Sequence, residues 1–328
     1  AASSGHIGAM NNLAICFSGG RGVSQDERAA YLWFERAARL GNANAQYAVA
    51  RNLEDGIGTA ADVDIAVTWY QRAANGGHPD AQFMIGYFYY AGKHLPQNMD
   101  HATVWLEKSA AQDHPLAMLY LGLRYFYDDE TGNDVKAIEW FRKAADKGIG
   151  AGDFYIGLCL ELGFGTETNI DGAVRHYQKA ADKGDSNAQY RIGYLHSTGT
   201  YFEKDITAAM EWYAKAAAQE HTSAMYNLAL GYLYGEGLGQ NETKAFELMQ
   251  RAAELGDADA QLVTGMFCND GVGTEASPET AVEWFRKAAD AGNARAQYEL
   301  GNAYQHGNGV EKDEKTALFW IRKAAEQN

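Results

Sequence analysis

The seven tryptophans of this chain, Trp33, Trp69, Trp105, Trp140, Trp212, Trp284 and Trp320, are separated by 36, 36, 35, 72, 72 and 36 residues. Each stands three residues after an alanine and four before a small pair, mostly Ala-Ala, and His176 and Leu248 fill the two vacant places. Such spacing is the mark of an internal repeat. A unit of about 36 residues is one helix pair that cannot bury its apolar face alone, so copies must stack. In the phrase Ala281-Val282-Glu283-Trp284-Phe285-Arg286-Lys287-Ala288-Ala289, residues three and four apart share a helical face. That stripe is expected to be the seam between repeats, small residues permitting close approach and Trp filling the wider space beside them.

Nine repeats follow, starting near Ala9, Ala45, Ala81, Ala117, Gly152, Ala188, Ala224, Ala260 and Ala296. Each opens its first helix, helix A, with Ala-Gln-Tyr-x-x-Gly or a variant, as in Ala188-Gln189-Tyr190-Arg191-Ile192-Gly193. Glycine inside a helix costs about 0.5–1 kcal/mol against alanine. Its recurrence at Gly86, Gly122, Gly157, Gly193, Gly265 and Gly301 therefore predicts close helix crossings. A Gly-x-Gly turn such as Gly271/Gly273 ends helix A, where glycine permits the left-handed backbone that stops a helix. Next comes Asp26, Asp62, Asn98, Asn133, Asn169, Asp205, Asn241, Ser277 or Asp313, an N-cap residue expected to start helix B in all nine repeats. Basic residues such as Lys143, Lys287 and Lys323 fall toward the end of helix B, where they suit its dipole.

The chain is thus expected to be all-α, with residues 1–328 forming a single solenoid of stacked helix-turn-helix repeats. A solenoid core is a long thin strip, so 328 residues need not split as a ball-shaped core would. Ala1-Ala2-Ser3-Ser4-Gly5 matches the tail of a repeat, so residues 1–8 read as the end of a truncated preceding repeat. The chain then reads as a fragment or processed form of a longer protein, compatible with export.

The net charge of −15 argues against nucleic acid and anionic membrane surfaces, which call for basic patches. The longest apolar runs, Met84–Gly92 and Leu116–Leu123, are too short to span a bilayer. Cys16, Cys159 and Cys268 sit in helix A of well-separated repeats and are expected to be three buried thiols.

His6, His78, His114 and His221 share one repeat position just after helix B, and read as connector residues spread along the array. His94 and His101 lack zinc-ligand spacing. The turn Asp128-Asp129-Glu130-Thr131-Gly132-Asn133-Asp134 gathers carboxylates, but lacks the twelve-residue calcium loop and its closing Glu, and reads as a solvated loop. No nucleophile-elbow, Walker or His-Glu-x-x-His stretch occurs. No enzymatic activity, metal or cofactor is expected.

The Trp phrase, the Ala-Gln start, the Gly-x-Gly turn and the cap column together resemble the Sel-one-like repeat (SLR) family, relatives of tetratricopeptide repeats. The resemblance covers residues 9–328 and implies an α/α right-handed superhelix that binds protein partners. Within the family such roles include adaptor, regulator, host-directed factor and immunity protein against a toxin. Cysteine-rich relatives, some suggested to be hydrolases, carry a cysteine pair in each repeat; this chain has none, and a hydrolase in the groove is the alternative reading. By analogy with tetratricopeptide arrays, the concave face of repeats 3 to 6 would present Phe83, Tyr87, Tyr90, Leu119, Leu123, Phe126, Leu158 and Tyr194 to a protein or peptide. Polar residues, Asn11, Arg51, Asn302 and Gln305 among them, would lie toward the ends of the array.

Overall fold

The structure, a computed structural model, describes residues 6–128 and 132–327. Helix A of successive repeats is α1 (Ile7–Gly19), α3 (Ala43–Asp55), α5 (Pro79–Ala91), α7 (Pro115–Phe126), α9 (Gly150–Leu162), α11 (Ser186–Thr198), α13 (Thr222–Tyr234), α15 (Ala258–Asp270) and α17 (Ala294–His306). Helix B is α2 (Glu27–Arg39), α4 (Val63–Asn75), α6 (Met99–Ala110), α8 (Asn133–Asp146), α10 (Ile170–Asp182), α12 (Ile206–Ala217), α14 (Glu242–Glu254), α16 (Pro278–Asp290) and α18 (Glu314–Ala325). No strand occurs among the described residues. The chain divides into two compact units, Ala1–Ala173 and Val174–Asn328. In the first, each helix from α1 to α9 packs on the next; in the second, the same holds from α11 to α18. This is an all-α helical-repeat solenoid.

Each helix A starts two residues before the alanine that opens the sequence phrase, and the cap explains why. Asn42, Asp185, Asp257 and Asn293 each accept the backbone N–H of the residue three on, at Ala45, Ala188, Ala260 and Ala296. The alanine is therefore the third helical residue, the place whose free N–H a cap satisfies. His6, His78, His114 and His221 occupy the same column and do the same work through Nδ1, at 3.1–3.4 Å. They are N-caps, not plain connectors. Eight of the nine expected caps of helix B also accept the expected N–H. Asn133 does not: Gly132 takes the cap position without a side-chain bond, and Asn133 is the buried first residue of α8.

Next to the alanine, Gln46, Gln82, Gln189, Gln261 and Gln297 are buried, and each donates from Nε2 to the carbonyl eight residues back, at the end of the preceding helix B. The bond satisfies a carbonyl that a helix C-terminus leaves free and locks one repeat to the next.

The tryptophans fill the expected seam only in part. Only Trp69 and Trp284 are buried; the others are half-buried. All seven lie under a Lys or Arg three residues on, the charged group 3.7–5.0 Å from the ring centroid, so a cation covers one face of each ring. The seam is filled by the next residue: Tyr70, Leu106, Phe141, Tyr177, Tyr213 and Met249 are all but fully buried. That side chain needs the mid-helix glycine. A Cβ at Gly122 would come within 2.5 Å of Phe141, at Gly193 within 2.8 Å of Tyr213 and at Gly265 within 2.6 Å of Phe285.

The second turn glycine has a further reason. At Gly58, Gly165, Gly273 and Gly309 the φ angle is positive, and an added Cβ would sit 2.1–2.3 Å from a carbonyl at the start of the preceding repeat's helix B. Glycine there sets the repeat-to-repeat approach as well as the turn. Cys159 and Cys268 are buried free thiols, whereas Cys16 is only half-buried.

Candidate interaction surface

Two consecutive A helices of the first unit build the aromatic face. Helix α5 supplies Phe83, Tyr87 and Tyr90 at helical spacing, and α7 lays Tyr120 among them. The Tyr120 ring centroid is 5.7 Å from Phe83, 5.3 Å from Tyr87 and 5.3 Å from Tyr90, edge-on to both tyrosines. Such edge contacts stabilise a cluster beyond its area burial. All four rings are half-buried. Burial raises the phenol pKa of Tyr90 and Tyr120, so both stay neutral hydroxyls.

The histidine caps brace this face. His114 caps α7 through Nδ1, stacks on Phe83 at 4.7 Å, and lies with Nε2 3.1 Å from an Asp80 carboxylate oxygen. Accepting at Nδ1 and donating at Nε2 requires one neutral tautomer. His78 stacks on Tyr47 at 4.5 Å and His221 on Tyr190 at 4.7 Å in the same arrangement. Burial, the largest influence, lowers the pKa of all three imidazoles.

Beside the rings opens a cleft of 370 Å³ lined by Tyr90, Met99, Leu123, Arg124, Tyr127 and Asp128. Arg124 pairs with Asp128 one turn on, while its Nε is buried without a hydrogen-bond partner among the described residues. Tyr127, 68% exposed, stands at the rim.

The expected contact residues thus divide. Phe83, Tyr87, Tyr90 and Leu123 come together on this face. Leu119 is buried in the core with Leu121 and Phe141. Phe126 packs among Phe164 at 4.7 Å, Tyr155 at 5.7 Å and Phe141 at 6.0 Å. Leu158 is half-buried on α9. Tyr194 belongs to the second unit, where it is 38% exposed and Arg191 lies over its ring at 5.2 Å. Tyr120 and Tyr127 fell outside the analogy-based positions, though the apolar run Leu116–Leu123 carried the signal for Tyr120.

Among the described residues no group of three or more His, Cys, Asp or Glu side chains could hold a metal ion. Residues 129–131 of the acidic turn lie outside the described residues. No described helix is long and apolar enough to cross a membrane.

The Sel1 repeat matches nine segments: residues 7–42, 43–78, 79–114, 115–149, 151–185, 186–221, 222–257, 258–293 and 294–328. Among solved structures, the chain is similar to a protective antigen of uropathogenic Escherichia coli strains that displays an SLR fold. They share 34% identity with a TM-score of 0.64, over 99% of this chain and 70% of that one. It is also similar to a Sel1 repeat protein from Oxalobacter formigenes, at 29% identity and a TM-score of 0.69, over 92% of this chain and 88% of that one. No curated protein sequence gives a significant match. Sel1 repeats generally mediate protein–protein interaction and typically form non-enzymatic scaffolds. With nine matched repeats and a relative of the same architecture at 34% identity, the chain belongs to the Sel1 repeat family.

Proposed function

We propose that this protein is a non-enzymatic interaction scaffold that holds a protein or peptide partner on the aromatic face of α5 and α7. The observation that carries the reading is the half-buried cluster of Phe83, Tyr87, Tyr90 and Tyr120 opening into the cleft at Leu123, Arg124 and Tyr127. Apolar anchors beside a charged rim are where interface energy concentrates, and tyrosine and arginine are favoured anchors. Leu119 and Phe126 already serve the interior, so the partner meets the remaining rings. The extended form of this proposal takes in Leu158, on α9 of the same unit.

A binding role suits the local chemistry better than catalysis. His78 and His114 spend Nδ1 on helix caps, which leaves them unsuited to act as general bases there. Burial pushes the Cys159 thiol up to about 12, so it stays protonated and poorly nucleophilic. The net charge of −15 favours a neutral or basic protein partner over nucleic acid. Among the roles open to the family, the E. coli relative's description as a protective antigen favours a host-directed one.

The test is affinity capture with the immobilised chain, followed by mass spectrometry, repeated with a Tyr90→Ala/Tyr127→Ala variant. The variant is expected to lose the captured partner while keeping its helical circular dichroism. Capture at wild-type strength by the folded variant would overturn the proposal.

A further inference from the structure

The second unit carries a cleft of different chemistry. It measures 470 Å³ and lies between α15, α16 and α17. Its apolar wall is Met266, Val282 and Phe285; its polar wall is Asp270, Glu299, Asn302 and His306, continued by Asn269 and Asn308. One repeat position opens it. Ala303 stands where repeats 3, 6 and 8 place the buried side chains Phe88, Leu195 and Phe267. The volume those side chains would occupy is empty space here.

The polar wall is rich in acceptors. Glu299 is half-buried and has neither hydrogen bond nor ion pair among the described residues, and Asn302 beside it is likewise unengaged. Across from them a short chain runs from Asn308 Nδ2 to Asn269 Oδ1 at 3.0 Å, and from Asn269 Nδ2 to an Asp270 carboxylate oxygen at 2.7 Å. No lysine or arginine lines the cleft. The nearby Arg286 donates to the Tyr304 hydroxyl at 2.6 Å, and Lys312 pairs with Glu314 at 3.2 Å. Two carboxylates with no lysine or arginine beside them among the lining residues, set against an aliphatic and aromatic wall, call for a long apolar stem that ends in positive charge.

We propose that this cleft receives an arginine side chain of a protein partner. Acceptors spread over α15, α17 and the following turn suit the planar fork of five guanidinium donors better than the compact point charge of lysine. The apolar wall packs the three-carbon stem, and half-buried Glu299 offers a partly desolvated carboxylate that strengthens the charge-assisted hydrogen bonds, with exposed Asp270 at the mouth. The site belongs to the second unit and does not depend on the aromatic face of the first.

The test titrates a blocked pentapeptide with one central arginine among alanines into the full chain, ¹⁵N-labelled and followed by NMR. Lysine and citrulline versions run in parallel. The arginine peptide is expected to shift the side-chain amides of Asn269, Asn302 and Asn308, and neutral citrulline to bind about tenfold more weakly. Ala303→Phe should fill the cleft and abolish binding, as Phe88 and Phe267 already fit that position. Should that variant misfold, Glu299→Gln with Asp270→Asn keeps the shape and is expected to weaken binding about tenfold. Equal binding of arginine and citrulline would overturn the proposal. So would unchanged binding after either substitution, or equal lysine and arginine binding with shifts scattered over the surface.

Discussion

Repeats 3 and 4 in the first unit and repeats 8 and 9 in the second use one scaffold to present opposite surfaces. Where helix A of repeat 9 has Glu299, Asn302 and His306, repeat 4 has Tyr120, Leu123 and Tyr127. The buried positions are alike in both regions: a glycine on helix A against a large side chain after the tryptophan place, Gly122 on Phe141 and Gly265 on Phe285. One column of the repeat therefore specifies packing and another, a few residues away on the same helix, is free to specify what is bound. A helix needs only one apolar stripe for its own core. The rings of α5 and α7 beyond that stripe pack along the edge of the core, and their proposed second role, like that of the polar groups of α17, is binding.

If that division holds, packing positions should be costly in either unit. Large effects are expected at the second turn glycine. Gly58→Ala and Gly273→Ala would each drive a Cβ to within 2.2 Å of a backbone carbonyl at positive φ, and we expect each to lose about 2–4 kcal/mol. Gly256→Ala is the control: φ is 94° but nothing lies within 4 Å, so about 1 kcal/mol should be lost. Chemical denaturation of the three variants checks this. Equal midpoints for Gly256→Ala and Gly273→Ala would show that the turn needs only the left-handed backbone.

Nearly as large is the difference between neighbouring aromatic residues. Tyr213 is 2% exposed against Gly193, whereas Trp212 lies half-buried under Lys215 at 3.7 Å. Tyr213→Ala should cost about 3–5 kcal/mol and Trp212→Ala about 1–2 kcal/mol. Phe126→Ala should behave like the tyrosine, because its ring is packed among Phe141, Tyr155 and Phe164. Thermal melts that rank Trp212→Ala as the more damaging would restore the tryptophan to the seam.

The tryptophan case marks where sequence reasoning stops. The 36-residue period, the helix pair and the glycine crossings were legible because each leaves a recurring residue type at fixed spacing. Which of two adjacent aromatic residues faces inward was not, since Trp212 and Tyr213 differ by one step around the helix and both are apolar. The histidine caps hid for another reason. Nδ1 of a neutral imidazole accepts as an Asn or Asp oxygen does, and the column Asn42, Asp185, Asp257, Asn293 carried that signal. The aromatic face was legible as a surplus of rings on α5, but Tyr120 enters it from α7 by an inter-repeat contact that no single-helix pattern encodes.

The caps also make a smaller, pH-dependent difference. Burial lowers the pKa of His78, His114 and His221, so the folded chain resists protonation that the unfolded chain accepts near its ordinary value of about 6.5. Above that pH both states are neutral and the caps contribute fully. As pH falls below it, the unfolded state binds protons first and stability declines, by at most about 1.4 kcal/mol per pH unit for each histidine, until the folded imidazole itself protonates. His114→Asn should flatten part of the slope in the first unit and His221→Asn in the second, since asparagine already caps α3 and α17. Denaturation midpoints between pH 7 and 5 report this. An unchanged slope in both variants would mean that other groups carry the acid response.

The smallest stability effects should fall where the two surfaces differ most. Tyr127 is 68% exposed at the rim of the first unit's cleft, and the Glu299 side chain is unengaged among the described residues in the second. Tyr127→Ala and Glu299→Gln should each move the stability by less than about 0.5 kcal/mol. The rim ring meets the interior through its edge contact with Phe126 at 5.2 Å, and an amide keeps the carboxylate's shape. Their binding effects should instead be separate: Tyr127→Ala should weaken capture on the aromatic face and leave the arginine peptide untouched, and Glu299→Gln should do the reverse. Crossed effects, with either variant disturbing both, would mean that surface and packing columns are coupled, and the division drawn between them would fail.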